Sequence, residues 1–263
     1  MNARLAFLSS LLLAVLLVAA SPGTGVAEEE GNFAQKVLKN LTLGQPVVTD
    51  QLFVFPLLAS TVPDALAVDS EPNVDTVDFD EPEFMRRRYD VLVKNGGDKP
   101  VLVLGGTVLE GGKRDRLIRR SILVGPKSDL EAAALPGSAS SDIRKESEPF
   151  GVAEALAPTY LRKKALFGGS ALTVTTFIAR ALDFREEDDD RKSIVAIAES
   201  PRLKQFCLPC HESMSSLPQP KAETGRVIGA IGGVRGRIQG LVLFGNNEIF
   251  ISYFERFLKG ATW

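Results

Sequence analysis

Between Tyr89 and Val124 the chain repeats one pattern, a short apolar run followed by glycine. YDVLVKN is followed by Gly96-Gly97, PVLVLGGTVLEGG carries two more glycine pairs, and DRLIRRSILVG closes the series. Short β-branched runs bounded by glycine read as strands. The stretch therefore predicts three or more adjacent strands. Asn95-Gly96-Gly97-Asp98 has the composition of a hairpin turn.

The flanking segments fill in a mixed architecture. LTLGQPVVTDQLFVFPLL, Leu41 to Leu58, reads as a pair of strands with a turn at Thr49-Asp50. Residues 60–83 are rich in Asp, Glu and Pro and read as a solvated loop, and 126–150 read as a second loop. The basic run Met85-Arg86-Arg87-Arg88 reads as a solubility feature before a strand. VAEALAPTYLRKKAL, 152–166, predicts a helix that Pro158 breaks. ALTVTTFIARALDF fits either strand or helix. RKSIVAIAESPRLKQFCLPCHESM predicts two helical pieces separated near Pro201. Arg226 to Phe244 is a glycine-punctuated strand pair. In EIFISYFERFLK, Ile249, Phe250, Tyr253, Phe254, Phe257 and Leu258 follow the i, i+3, i+4 spacing of a core-facing helix. The expectation is an α+β fold: a largely antiparallel, sandwich-like β body, a helical insertion at about 150–222, and a C-terminal helix.

The 263 residues suit one domain, and 44% hydrophobic content can build a core. Lys and Arg number 31 against 33 Asp and Glu. Such a balance lacks the basic excess of a nucleic-acid-binding surface. At the start, Arg4 precedes the apolar run Leu5 to Ala20, which small residues follow. This is the pattern of an export signal, too short for an ordinary spanning helix. We expect a signal peptide over 1–27 and a single exported domain over 28–263. The expected location is the periplasm or the extracellular side of a bacterial envelope, with no membrane span after cleavage.

LTLGQPVVTDQLFVFPLL, VLVKNGGDKPVLVLGGTVLEGGKRDRLIRRSILV and GRVIGAIGGVRGRIQGLVLFGNNEIFISYFERFLKG together resemble the ARG and Rhodanese-Phosphatase-superfamily-associated domain family. The resemblance lies in the order and spacing of these segments. It implies a mixed α+β domain with a substantial antiparallel part, and little chemistry. Gly111, Gly112, Lys113 and Arg116 keep the family's Gly-Gly-Lys pattern, while Arg114 and Asp115 stand where the family has Gln and Asn. The family's Cys-Val-Glu and Gly-Arg-Trp type segment is replaced by DLEAAALPGSASSD. That loss weighs against an enzyme of ADP-ribose metabolism, which association with neighbouring enzymes alone suggests.

Glu110 to Arg116 is one candidate site. Glycines let backbone N–H groups approach an anion, and Lys113 and Arg116 supply charge and donors. Gly111, Gly112, Lys113 and Arg116 could hold an anionic small molecule; the same residues also suit a plain hairpin turn. The spacing is not that of a P-loop.

The second candidate is FCLPCHE, which contains both cysteines and the only histidine. Cys207, Cys210 and His211 have the order of covalent haem c attachment, with two thiols for the vinyl groups and an imidazole for the iron. Export supports that reading. No second histidine supplies the other axial position, and Met85 and Met214 are the methionines outside the signal. A Cys207–Cys210 disulfide is the competing reading in an oxidising compartment, and zinc lacks a fourth ligand. No nucleophile with a recognisable base stands out, so no catalytic residue is assigned. The functions left open are a haem-bearing redox protein with a redox partner protein, an envelope module binding an anion, and the ADP-ribose-linked enzyme.

Overall fold

The computed structural model describes residues 39–49, 52–60, 77–81, 89–139, 143–182, 192–214, 226–245 and 247–261. The chain opens with β1 (Leu41–Leu43), β2 (Val47–Val48) and β3 (Leu52–Ala59). It continues with β4 (Val77–Asp80), β5 (Val91–Asn95), β6 (Val101–Val103), β7 (Thr107–Gly112) and β8 (Arg116–Ile118). Then come β9 (Ile122–Val124), β10 (Ser128–Ala132), β11 (Ala134–Pro136) and β12 (Glu148–Leu156). Helices α1 (Thr159–Leu166), α2 (Ala171–Leu182), α3 (Ile194–Glu199) and α4 (Pro201–Met214) follow. β13 (Arg226–Val234), β14 (Arg237–Leu243) and α5 (Asn247–Ala261) close the chain. Every strand pairing is antiparallel among the described residues, so the fold is α+β.

The sheet β11-β8-β7-β12 is the shared wall of the molecule. Side chains alternate across a strand, and in β7, β8 and β11 both faces are buried. Leu109, Ile118 and Ala134 pack with Val91, Val93, Val101, Val103 and Val124 of the neighbouring small sheets. Val108, Leu117 and Leu135 face the other way, against Leu161, Val174, Ile178 and Ile194 of the helices. Burial on both faces explains why these strands read as continuous apolar runs rather than alternating ones.

The second sheet runs β1-β3-β13-β14, with β2 also on β3. Pro56 lies inside β3, where it cannot donate to a ladder. β13 bulges between Val227 and Gly229, beside the Pro56–Ala230 pair, and so accommodates it. Arg235 and Gly236 both have positive φ (49° and 74°) and make the two-residue turn between β13 and β14. Helix α5 covers this sheet through Phe250, Tyr253, Phe254, Phe257 and Leu258, as its spacing predicts. Tyr253 donates its hydroxyl to the Leu102 carbonyl on β6. Arg256 Nη2 donates to Ala153 O at 3.2 Å, and Lys259 pairs with Glu154 at 3.1 Å, which clamps α5 along β12.

Four local expectations need correction. Residues 77–80, within the stretch expected to be a solvated loop, form β4, with Val77 and Phe79 buried in the core. Asn95–Asp98 is a turn but not a hairpin, since β5 pairs with β4 and β10 while β6 pairs with β9. Asn95 holds the crossing between sheets, with Nδ2 donating to Lys99 O (2.7 Å) and Gly125 O (2.9 Å). Residues 126–150 contain β10, β11 and the start of β12 rather than a single loop. Residues 152–156 belong to β12, and Pro158 is the N-cap of α1, not a break within it. At a helix start the missing proline N–H costs nothing, so the helix begins there. Met85 to Arg88 lie outside the described residues.

Phe250→Ala removes a fully buried ring from the interface between α5 and the second sheet. We expect a loss of about 3–5 kcal/mol in urea unfolding, with Phe250→Leu costing clearly less.

Candidate functional site

Gly111 to Arg116 forms the tight connection from β7 to β8. Gly111 and Gly112 have φ of 132° and 61°, in the region that favours glycine. A Cβ on Gly111 would stand 2.3 Å from the Pro149 carbonyl oxygen on β12. The first glycine is thus required by close approach of a neighbouring strand.

The turn is closed by charge from its own chain. Asp115 is 1% exposed, and its Oδ1 accepts from Gly111 N (3.1 Å) and Arg144 Nη2 (2.8 Å). Arg144 also donates Nη1 to Gly111 O (3.0 Å), and its backbone N–H to Lys113 O (2.9 Å). Its Nε pairs with Glu148 at 3.0 Å. Glu81 accepts from Lys113 N (3.2 Å) and from Arg116 Nη2 (2.6 Å). Arg116 is buried, with Phe150 and Tyr89 rings 5.9 and 5.8 Å from its guanidinium carbon. Burial pulls its pKa below the ordinary arginine value, and Glu81 opposes that shift. Arg114 donates to Ser138 Oγ (3.3 Å) and to the Ser138 carbonyl.

Arg116 and Arg144 therefore meet three carboxylates, from Glu81, Asp115 and Glu148, while Arg114 beside them holds Ser138. The carboxylates already receive the Gly111 and Lys113 amides, the donors an external anion would need. Of the four residues singled out from the sequence, Gly111, Gly112 and Arg116 are buried and Lys113 points to solvent. Sequence reading missed Glu81, Asp115 and Arg144. Arg144 lies far along the chain from Gly111, and no local spacing signals that contact.

The other candidate lies elsewhere. Cys207 lies at the middle of α4, and Cys210 and His211 lie in its C-terminal half. Leu203 and Cys207 are half-buried, whereas Lys204, Gln205, Leu208, Pro209 and Glu212 are exposed, so α4 lies at the surface. The side chains of Cys210 and His211 lie outside the described residues. α4 follows α3, whose N-cap Ser193 accepts from Ala196 N and bridges to Ser138. A cleft between α5 and the β13–β14 pair, lined by Thr159, Gln239, Phe254 and Phe257, measures about 10 Å³, room for roughly one water. Among the described residues no helix is long and apolar enough to cross a membrane.

Fold and candidate sites define an antiparallel α+β protein with a buried arginine–carboxylate turn and a surface helix carrying C-x-x-C-H. A family model described as ARPP-1, the ARG and Rhodanese-Phosphatase-superfamily-associated Protein domain, matches residues 40–135. The match spans β1 to β11 and includes the Gly111–Arg116 turn, and it supports the resemblance for that part of the chain. No curated protein and no solved structure matches the chain.

In this largely dry turn Arg144→Met leaves the buried Asp115 carboxylate without its charged partner, and Asp115→Ala leaves the Gly111 amide unpaired and Arg144 with Glu148 alone. We expect each to cost about 3–5 kcal/mol, and the pair to cost less than the sum by about 1–3 kcal/mol in a double-mutant cycle. Lys113→Ala, at an exposed position, changes stability by less than about 0.5 kcal/mol.

Proposed function

We propose that the chain is an exported protein built on an ARPP-1-like body, with a c-type haem attached through Cys207 and Cys210 and ligated by His211. Its role is electron transfer or redox sensing, with a redox partner protein and without catalysis by the chain itself. The observation that carries this reading is that all three residues lie on one continuous helix. Three residues of helix rise about 4.5 Å, so the cysteine positions stand one turn apart, with the histidine position directly after them.

Their place along α4 also bears on the chemistry. The charge of a helix end falls off within one turn, and neither Cys207 nor Cys210 stands in the positive first turn of α4. Reactive dithiols instead draw on the positive end of a helix. Neutral thioether links suit this position better than an attacking thiol does. The exposed setting of α4 leaves room for a large flat group beside the helix without displacing the core. When bound, the haem supplies one-electron chemistry. Cys207 and Cys210 would anchor it by two thioether bonds, His211 would offer its imidazole, and α4 would hold it at a surface that a partner can reach. The apolar run Leu5 to Ala20 supports export to the compartment in which bacteria attach haem c.

The test is an absorption spectrum of protein expressed with a haem c attachment system, then denatured and reduced. A haemochrome band that survives denaturation, and disappears in Cys207→Ala/Cys210→Ala, is the expected result. A colourless protein with a 207–210 disulfide contradicts the proposal and makes the motif a clip.

A further inference from the structure

The helical hairpin α1–α2 exposes apolar side chains that the core does not use. Phe167 is 76% and Leu172 73% exposed, with Tyr160 and Leu166 also open to solvent. Both helices already bury a face through Leu161, Ala165, Val174 and Ile178, so the exposed set is a separate surface. Tyr160 and Phe177 stack across it, with ring centroids 6.4 Å apart.

The tip has a defined shape. Gly168 takes φ of 91°, and the Gly169 N–H returns to the Lys164 carbonyl, which closes α1 with a Schellman turn. That turn normally seats an apolar residue at the Gly169 position against the helix. Glycine stands there instead, and Phe167 beside it projects outward. A Cβ on Gly168 would meet nothing within 4 Å.

The charge around the tip has one sign. Lys163 and Lys164 are exposed near the tip and no acidic residue lies between 155 and 182, while Arg162 turns inward over the Phe257 ring and Arg180 lies at the far end of α2. Lys164 lies over the Tyr160 ring at 5.7 Å, and Arg119 donates to the Ala165 carbonyl at 3.1 Å. The basic pair Arg119-Arg120 thus sits beside the end of α1.

We propose that this hairpin is a membrane-docking element that seats Phe167 and Leu172 in the interface of an anionic bilayer, with Lys163 and Lys164 on its headgroups. Aromatic and leucine side chains flanked by lysines are the pattern of interfacial binding, and anionic headgroups attract each nearby cation. A second copy of the chain fits less well. A two-fold contact would set the lysines of one tip against those of the other. A convex tip of a few side chains also offers far less than the roughly 800 Å² per partner of a stable protein interface.

The test uses the full chain with Phe167→Trp and Trp263→Phe, so that one indole reports on the tip whatever else touches lipid. Vesicles of phosphatidylcholine, with and without phosphatidylglycerol, carry brominated acyl chains. We expect the emission to shift to the blue and be quenched, with half-saturation at about ten-fold less lipid when phosphatidylglycerol is present. Lys163→Glu/Lys164→Glu abolishes that preference, and Leu172→Asp weakens binding about ten-fold or more. An indole that stays unquenched at every lipid concentration overturns the proposal. So does a blue shift that follows protein concentration without lipid, which assigns the tip to self-association.

Discussion

The Asp115 carboxylate is the anchor on which the rest of the structure depends. It is buried at the end of the one sheet that every apolar cluster borders, directly or through β12. A carboxylate there is tolerable only if it is paired and hydrogen-bonded. The Gly111 amide and Arg144 satisfy it, and in doing so they join β7, β8 and the start of β12. The two glycines follow from that arrangement, because the turn must pass under β12 with no room for a Cβ.

The same turn reaches the helices. Gly137 N donates to Asp115 O at 2.7 Å, and Ile194 N donates to Gly137 O at 2.9 Å. Arg114 holds Ser138, and Ser138 bridges to the Ser193 cap of α3. The placement of α3, and through it the start of α4, is thus coupled to the β7–β8 turn. A motif on an exposed helix is thereby attached to a rigid body and kept outside it. That division keeps the cysteine motif apart from the buried body. It also explains why Arg116 tolerates burial, with Glu81 and two aromatic rings offsetting its desolvation.

Much of the fold was legible in the sequence. The apolar stripe of α5 and the glycine-bounded runs of β7 and β8 are local signals, and local periodicity survives folding unchanged. The β5–β6 turn misled because a hairpin-like composition says nothing about which sheet each strand enters. The strands between 126 and 150 were hidden because their burial is irregular and glycine, serine and proline interrupt them. In the candidate sites, the Gly-Gly-Lys pattern identified the turn but not the partners that close it. Glu81 and Arg144 come from distant segments, and only packing brings them to Asp115. The C-x-x-C-H spacing is plain in the sequence, whereas its position from the middle of a surface helix onward is not.

The Gly111–Arg116 turn is a closed structural joint whose Gly111 and Lys113 amides are already taken by Asp115 and Glu81. Native-state hydrogen exchange, read at single amides with and without inorganic phosphate, tests this most directly. In a closed joint the Gly111 amide exchanges as slowly as those of Leu109 and Leu117, unaffected by phosphate, while amides of α4 exchange sooner through local opening. A Gly111 amide that exchanges quickly and becomes protected when phosphate is added would contradict it, and would make the turn a ligand loop.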